Sequence, residues 1–355
     1  MKTTILCGAM IAGLFFAGAA VALAASADDA LKEAQLLQQV GSTKQAIGLY
    51  DKAIQANPKS ADAFLGRANA YAELGEDERA LKDYNEAIRL APDNGEAYRG
   101  RGDAFRRLKQ SDRALKDYAA ALRSTPEDAE IYLNRGTIYY SMKQYETALK
   151  DYGEAIRVNP DFADAYYNRG NTYMALENPA KAVEDYDKAI ALDPKFAEAY
   201  YNRGIAYANA ARDDKAVEDY TKVLETFPKA PEVYYNRGLS RFRMGDLEKS
   251  VEDYNEAIRL DPKDPEAVYN RGLAYAQLGK YDYAARDFTQ VIVMLPKNAE
   301  AYGQRGLARL HQGRVSDADA DLKKAYQLDP NVRKKLQPLV DEAKKTAGKP
   351  EGTSK

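Results

Sequence analysis

Tryptophan is absent from this chain, cysteine occurs once (Cys7) and histidine once (His311). A single thiol excludes a disulfide framework and a cysteine-ligated zinc site. A single imidazole excludes a multi-histidine metal centre. No sign of charge dominates: 52 basic residues face 54 acidic ones, a formal charge of −2. A nucleic-acid backbone calls for a basic face, which this balance does not supply, although a local basic patch stays open. Also missing are a phosphate-cradling glycine loop, a GxSxG elbow and an HExxH helix, so no enzymatic motif is present. Apolar material is not lacking. Hydrophobic residues make up 45% of the 355 residues, enough for a large buried core.

The first charge-free stretch is Ile5 to Leu23, after the basic start at Lys2. Small residues at Ala22 and Ala24 flank Leu23, and polar Ser26, Asp28 and Asp29 follow. This layout predicts a secretory signal peptide, residues 1–24, cleaved after Ala24, with Ala25 and Ala27 as alternatives. An uncleaved anchor is the competing reading, because the run is almost long enough to span a bilayer. Cys7 precedes most of the apolar run, which is the wrong place for a lipid-modified cysteine. It leaves with the signal, and the remaining chain carries no thiol, as suits an oxidising compartment. The expected location is therefore periplasmic or secreted.

The rest of the chain is one unit written nine times. Prolines stand at Pro58, Pro92, Pro126, Pro160, Pro194, Pro228, Pro262, Pro296 and Pro330, always 34 residues apart. A fixed period of this size means a solenoid of stacked supersecondary units. With that proline as position 32, the units run 27–60, 61–94, 95–128, 129–162, 163–196, 197–230, 231–264, 265–298 and 299–332. Position 8 is Ala34 and Ala68 in the first two and glycine in the rest; position 20 is alanine, or serine at Ser250; position 24 is aromatic from Tyr50 to Phe288. Two antiparallel helices of about a dozen residues with short turns fill such a period. Small residues at 8 and 20 let the helices approach, large ones fill the space between hairpins, and the proline stops the second helix.

At these residues the chain resembles the tetratricopeptide repeat family, from Ala27 to about Asn331. The resemblance implies an all-α fold: an α-solenoid, a right-handed superhelix of about nineteen helices whose first helices line a concave face. It departs from the family in carrying Tyr or Phe where Trp is frequent at position 4, a change that keeps the bulk. The first unit is degenerate, with Ala30, Glu33 and Ala34 at positions 4, 7 and 8, as terminal units tend to be. Val332, Leu336, Leu339, Val340 and Ala343 form one apolar helical face, read as a capping helix over 333–345, bent at Pro338 and followed by a disordered tail, 346–355.

Position 7 is arginine and position 23 aspartate in the same eight units, from Arg67 and Asp83 to Arg305 and Asp321; the first unit lacks both. Joint presence and absence predicts an ion pair within each hairpin rather than an anion-binding ladder. The acidic position 2 complements a helix N-terminus. His311, at position 13 of the last unit, reads as a surface residue.

Position 6 is the informative one: Asn134, Asn168, Asn202, Asn236 and Asn270, then Gln304, against Gly66 and Gly100 earlier. In the family this position faces the concave groove. An amide carries both a donor and an acceptor, as a peptide group does, so a row of them suits the backbone of an extended peptide. The competing reading is amide bonding between neighbouring helices. Position 5 supplies Tyr167, Tyr201, Tyr235 and Tyr269, aromatic rings with a polar tip. Positions 9 and 12 grow more apolar towards the C-terminus, whereas Arg99, Arg106 and Arg107 mark a local basic spot, a candidate anion site. The family's clamp for a chaperone's C-terminal carboxylate needs a basic position 2, which is acidic here, so that ligand is not expected. No metal or cofactor is expected. The reading is a non-enzymatic adaptor or scaffold of the bacterial envelope holding a protein or peptide in its groove. A scaffold for envelope polysaccharide that binds a glycan is the alternative.

Overall fold

A computed structural model describes residues 26–347. The expected signal peptide and most of the expected tail lie outside the described residues. Among those described, helices and short turns account for the chain and no strand occurs. Two compact units divide at Thr172 and Tyr173. The first holds α1 (26–39), α2 (Thr43–Ala56), α3 (Ala61–Glu73), α4 (Asp77–Leu90), α5 (Gly95–Arg107), α6 (Ser111–Ser124), α7 (Ala129–Ser141) and α8 (Tyr145–Val158). The division falls inside α9 (Ala163–Ala175). The second unit holds α10 (Pro179–Leu192), α11 (Ala197–Asn209), α12 (Asp213–Thr226), α13 (Pro231–Arg243), α14 (Leu247–Leu260), α15 (Pro265–Gln277), α16 (Tyr281–Met294), α17 (Ala299–His311), α18 (Val315–Leu328) and α19 (Pro330–Ala347).

From α3 to α17 every first helix occupies positions 1–13 of its repeat, and from α2 to α18 every second helix occupies 17–30. The reason is local chemistry. Position 34 caps most first helices: Ser60, Asn94, Asp128, Asp264 and Asn298 each accept a backbone N–H of the first turn, which satisfies an otherwise orphan donor. Position 15 ends the first helix with a residue at positive φ. It is glycine at Gly41, Gly75, Gly245, Gly279 and Gly313, but Lys109, Lys143, Glu177 and Ala211 adopt the same left-handed conformation between them. A hydrogen bond from the following N–H back over the turn, Gln110 to Phe105, completes the cap.

Packing is between neighbours. Within each compact unit, first helices approach the next first helix (α3 with α5, α5 with α7, α11 with α13, α13 with α15, α15 with α17), whereas among the described residues no second helix comes as close to the next second helix. The first helices are thus the closer-spaced row, and each unit turns that row inward. The core is made of alanines at positions 3, 20 and 27 with the position-24 ring, all buried: Ala97, Ala114, Ala121 and Tyr118 in one repeat.

At the C-terminus α19 covers the last hairpin. It begins at Pro330, earlier than the expected 333, because proline fits the first turn of a helix. Val332, Leu336, Val340 and Ala343 pack on Leu307, Leu310 and Leu322. Leu339 departs from the expectation and is 49% exposed. Room for Leu336 is made at Gly303, which replaces the tyrosine of position 5; a Cβ there would overlap Leu336 Cδ1.

Candidate functional site

The Arg–Asp pairs form within hairpins, as the sequence predicts. Arg67, Arg101, Arg135, Arg203, Arg271 and Arg305 each place Nε and Nη2 on the two oxygens of Asp83, Asp117, Asp151, Asp219, Asp287 and Asp321 at 2.6–2.9 Å. Arg237 grips Asp253 similarly, and Arg241 adds a third donor to that carboxylate at 2.8 Å. The sequence reading missed the remaining arm. Nη1 reaches position 25 of the preceding repeat: Arg67 to Asp51, Arg101 to Asn85, Arg203 to Asp187, Arg237 to Thr221, Arg271 to Asn255 and Arg305 to Thr289. One guanidinium therefore closes its own hairpin and ties it to the one before. Burial lifts the carboxyls of Asp219, Asp253 and Asp287 above their usual range, although the arginines pull the other way. At these three carboxyls desolvation outweighs the attraction, so their pairs fix register more than they add stability.

The position-24 rings decide what the groove face carries. In the first two repeats position 8 is alanine, and the rings of Tyr50 and Tyr84 lean onto the next repeat. A Cβ at Gly66 would overlap Tyr50, and one at Gly100 would lie 2.5 Å from Tyr84. From the third repeat on, position 8 is glycine and the ring sits against it instead: Tyr118 on Gly102, Tyr152 on Gly136, Tyr220 on Gly204, Tyr254 on Gly238, Phe288 on Gly272. The next repeat then has space for a side chain at position 6, and asparagine or glutamine stands there. The coupling of alanine at 8 with glycine at the following 6 is written in the sequence, but only the ring's position gives it a cause.

The amides divide by neighbour. Asn134 donates Nδ2–H to Asp103 of the preceding repeat at 3.1 Å. Asn236 donates to the Tyr201 hydroxyl at 3.0 Å and Asn270 to the Tyr235 hydroxyl at 3.1 Å; Tyr235 donates onward to Glu266 at 3.4 Å. Asn168 stands half-buried on α9, where the preceding position 5 is Leu133; Asn202 occupies the same place on α11, and Tyr167 stands beside Asn168. The expected tyrosine partners are thus supports as much as surfaces. Tyr201, Tyr235 and Tyr269 lie tilted on the rings of Tyr220, Tyr254 and Phe288 with centroids 5.6–6.1 Å apart. Burial first, and the charge of Glu232 second, hold the Tyr201 phenol above its usual range. Among the described residues, no protein group donates to Oδ1 of Asn134, Asn236 or Asn270.

The basic spot is answered from within. Arg99 pairs with Asp128 at 3.2 Å and Glu130 at 3.1 Å, and Arg107 grips Asp77 at 2.6 Å. Arg106 approaches Asp103 at 4.0 Å, and its Nε is buried without a hydrogen-bond partner. The structure does not gather the three guanidiniums on one open anion site. His311 is exposed and stacks on Tyr281, centroids 4.4 Å apart. No helix among the described residues is long and apolar enough to cross a membrane.

Profiles of the TPR repeat and tetratricopeptide repeat match residues 31–95, 102–143, 136–177, 163–196, 185–218, 238–279 and 269–332. A comparison with curated proteins finds no match. Among solved structures, the C-terminal part of a TPR repeat-containing protein from Cytophaga hutchinsonii is similar at 20% identity and a TM-score of 0.57, over 67% of this chain and 98% of that one. PilF of Pseudomonas aeruginosa is similar at 19% identity and 0.51, over 62% and 96%. A tetratricopeptide repeat protein from Parabacteroides merdae is similar at 22% identity and 0.50, over 70% and 98%. These likenesses speak to the fold. With the 34-residue register, the paired helices and the matches over most of its length, the chain belongs to the tetratricopeptide repeat family, an all-helical solenoid built for protein interaction.

Proposed function

We propose that the protein is a non-enzymatic adaptor of the bacterial cell envelope that holds an extended segment of a protein partner along its first-helix face. The amide row carries the reading. Three of the position-6 amides are each steadied by one hydrogen bond to the preceding repeat: Asn134 through Asp103, Asn236 through Tyr201 and Asn270 through Tyr235. At these three the second amide hydrogen and Oδ1 remain for a ligand, one donor and one acceptor each, which is the complement of a peptide group. Helix propensity offers no reason to prefer asparagine to alanine there. The charge-free run Ile5–Leu23 with its small-residue site supports export.

The test uses the mature chain as bait in an envelope extract, followed by titration of the captured partner. Changing Asn168, Asn202 and Asn236 together to alanine removes hydrogen bonds worth about 0.5–1.5 kcal/mol each. Affinity is expected to fall by roughly one to three orders of magnitude, with helical content unchanged. Normal binding by the triple variant, or its unfolding, would return the row to a structural role. Purified envelope glycan serves as the control, and glycan affinity that equals the partner's would overturn the peptide reading. Fractionation and N-terminal sequencing of the expressed full chain check export; a mature chain starting at Ala25 is expected.

A further inference from the structure

A backbone-reading row is blind to sequence, but one junction of the second unit is not. A cavity of about 230 Å³ opens where α11, α12 and α13 meet. Its walls are apolar: Val223 and Val233 are buried, and Phe227 is 50% exposed. Tyr201 forms one side, and the exposed carboxylates Glu198 and Glu232 stand on the rim. Among the described residues, no lysine or arginine pairs with either glutamate, whereas the equivalent Glu300 meets Lys335 at 3.1 Å.

The first unit shows what such a junction holds. Where α5, α6 and α7 meet, position 5 is Arg99 rather than tyrosine, and its guanidinium lies 3.1 Å from Glu130, the equivalent of Glu232. Asp128, in the place of Ala230, adds a second oxygen at 3.2 Å. There the chain supplies its own cation to the position-2 carboxylate. At the α11–α13 junction the arginine is gone, the carboxylate remains, and position 31 changes from Thr125 to Phe227. A long basic side chain lays its methylenes on apolar wall and keeps its charge at the rim, and aromatic faces add attraction for the cation.

The geometry points to this junction as a pocket for a lysine or arginine side chain of the bound segment. The inference rests on the peptide-binding reading above and names the residue that segment carries beside Asn236.

Because the chain has no tryptophan, Phe227→Trp places a single indole in the pocket. The probes are acetyl-Ala-Ala-Lys-Ala-Ala-amide, its arginine form and its norleucine form. Indole emission is expected to saturate with the lysine and arginine peptides, and norleucine is expected to bind at least about tenfold more weakly. Glu198→Gln with Glu232→Gln should reduce that preference to under about twofold, and so should raising salt from ~50 to ~500 mM. Anisotropy of fluorescein-labelled peptides on the unmodified chain repeats the comparison without the reporter. Equal binding of norleucine and lysine, a preference that survives the double Gln variant, or no saturable signal from the lysine peptide each overturns the pocket. The amide row fails separately: if the triple Asn→Ala variant binds every peptide as before while the lysine preference persists, the backbone reading falls and the pocket stands.

Discussion

Tyr118 and Tyr254 hold the same position of their repeats and are both fully buried, yet they live in different surroundings. Tyr118 donates to Asp103 at 2.6 Å, as Tyr84 donates to Asn69 at 2.7 Å and Tyr152 meets Thr137 at 3.4 Å. Among the described residues the hydroxyl of Tyr254 has no hydrogen-bond partner, because position 9 of its repeat is Leu239. The next repeat resolves the conflict by carrying Phe288 against Leu273, and the last carries Leu322 against Leu307. In the first unit the groove face is a polar lattice through position 9. In the second it is an apolar floor of Ile205, Leu239, Leu273 and Leu307, and the polar links move to Tyr201, Tyr235 and their asparagines. One helical frame thus supports two kinds of surface, exchanged at a single position per repeat.

The sharpest test of that frame is Asp253→Ala, which strands both Arg237 and Arg241 in a buried site. A loss of about 3–5 kcal/mol is expected, read from the urea midpoint with slope checked. Asp151→Ala strands only Arg135, so it should cost less; an equal cost would mean the second arginine is idle.

Next comes Gly102→Ala, which turns a later repeat into an early one. Its Cβ would lie 2.9 Å from the Tyr118 ring and push it towards Asn134. Overpacking of about 1–3 kcal/mol is expected. Adding Asn134→Gly should recover most of it, since Ala68 with Gly100 already has that form; thermal melts showing no recovery would break the coupling.

Tyr118→Phe should cost about 1 kcal/mol by removing a bond to Asp103, whereas Tyr254→Phe should be neutral or slightly stabilising. Equal costs in urea titration would erase the distinction between the two surfaces.

The smallest effect expected is on pH dependence. Burial raises the Asp287 carboxyl above its ordinary 3.8 despite Arg271. The stability this group contributes is therefore full below 3.8 and is lost as pH rises through the raised value. Asp287→Asn should flatten that part of the stability–pH curve; an unchanged slope would show that Arg271 balances burial, and a change of the opposite sign that it outweighs it.

The frame was legible in the chain because it is local and periodic. Prolines every 34 residues, small residues at 8 and 20, and arginine and aspartate sixteen apart gave the helix pairs and their ion pairs. The candidate site was legible only in part. Position 6 stood out as a row of amides, but that Asn134, Asn236 and Asn270 lean on the preceding repeat depends on a distance between helices, which no composition encodes. Arg99 and Arg107 looked like a cationic spot because their partners, Glu130 and Asp77, are about thirty residues away in sequence and adjacent in space.

The sequence by itself determined the repeat, the helix ends and the Arg–Asp pairing within the hairpins that carry both residues, since these follow from caps, turns and spacing inside one 34-residue unit. Tertiary structure decided what passes between units: the third arm of the arginine at position 25, the lean of the position-24 ring, and the carboxylates left without a cation at the α11–α13 junction. The physical reason is that stacking brings together side chains about one period apart, and whether a ring, an amide or a guanidinium fills the gap depends on volume and charge contributed by both neighbours at once.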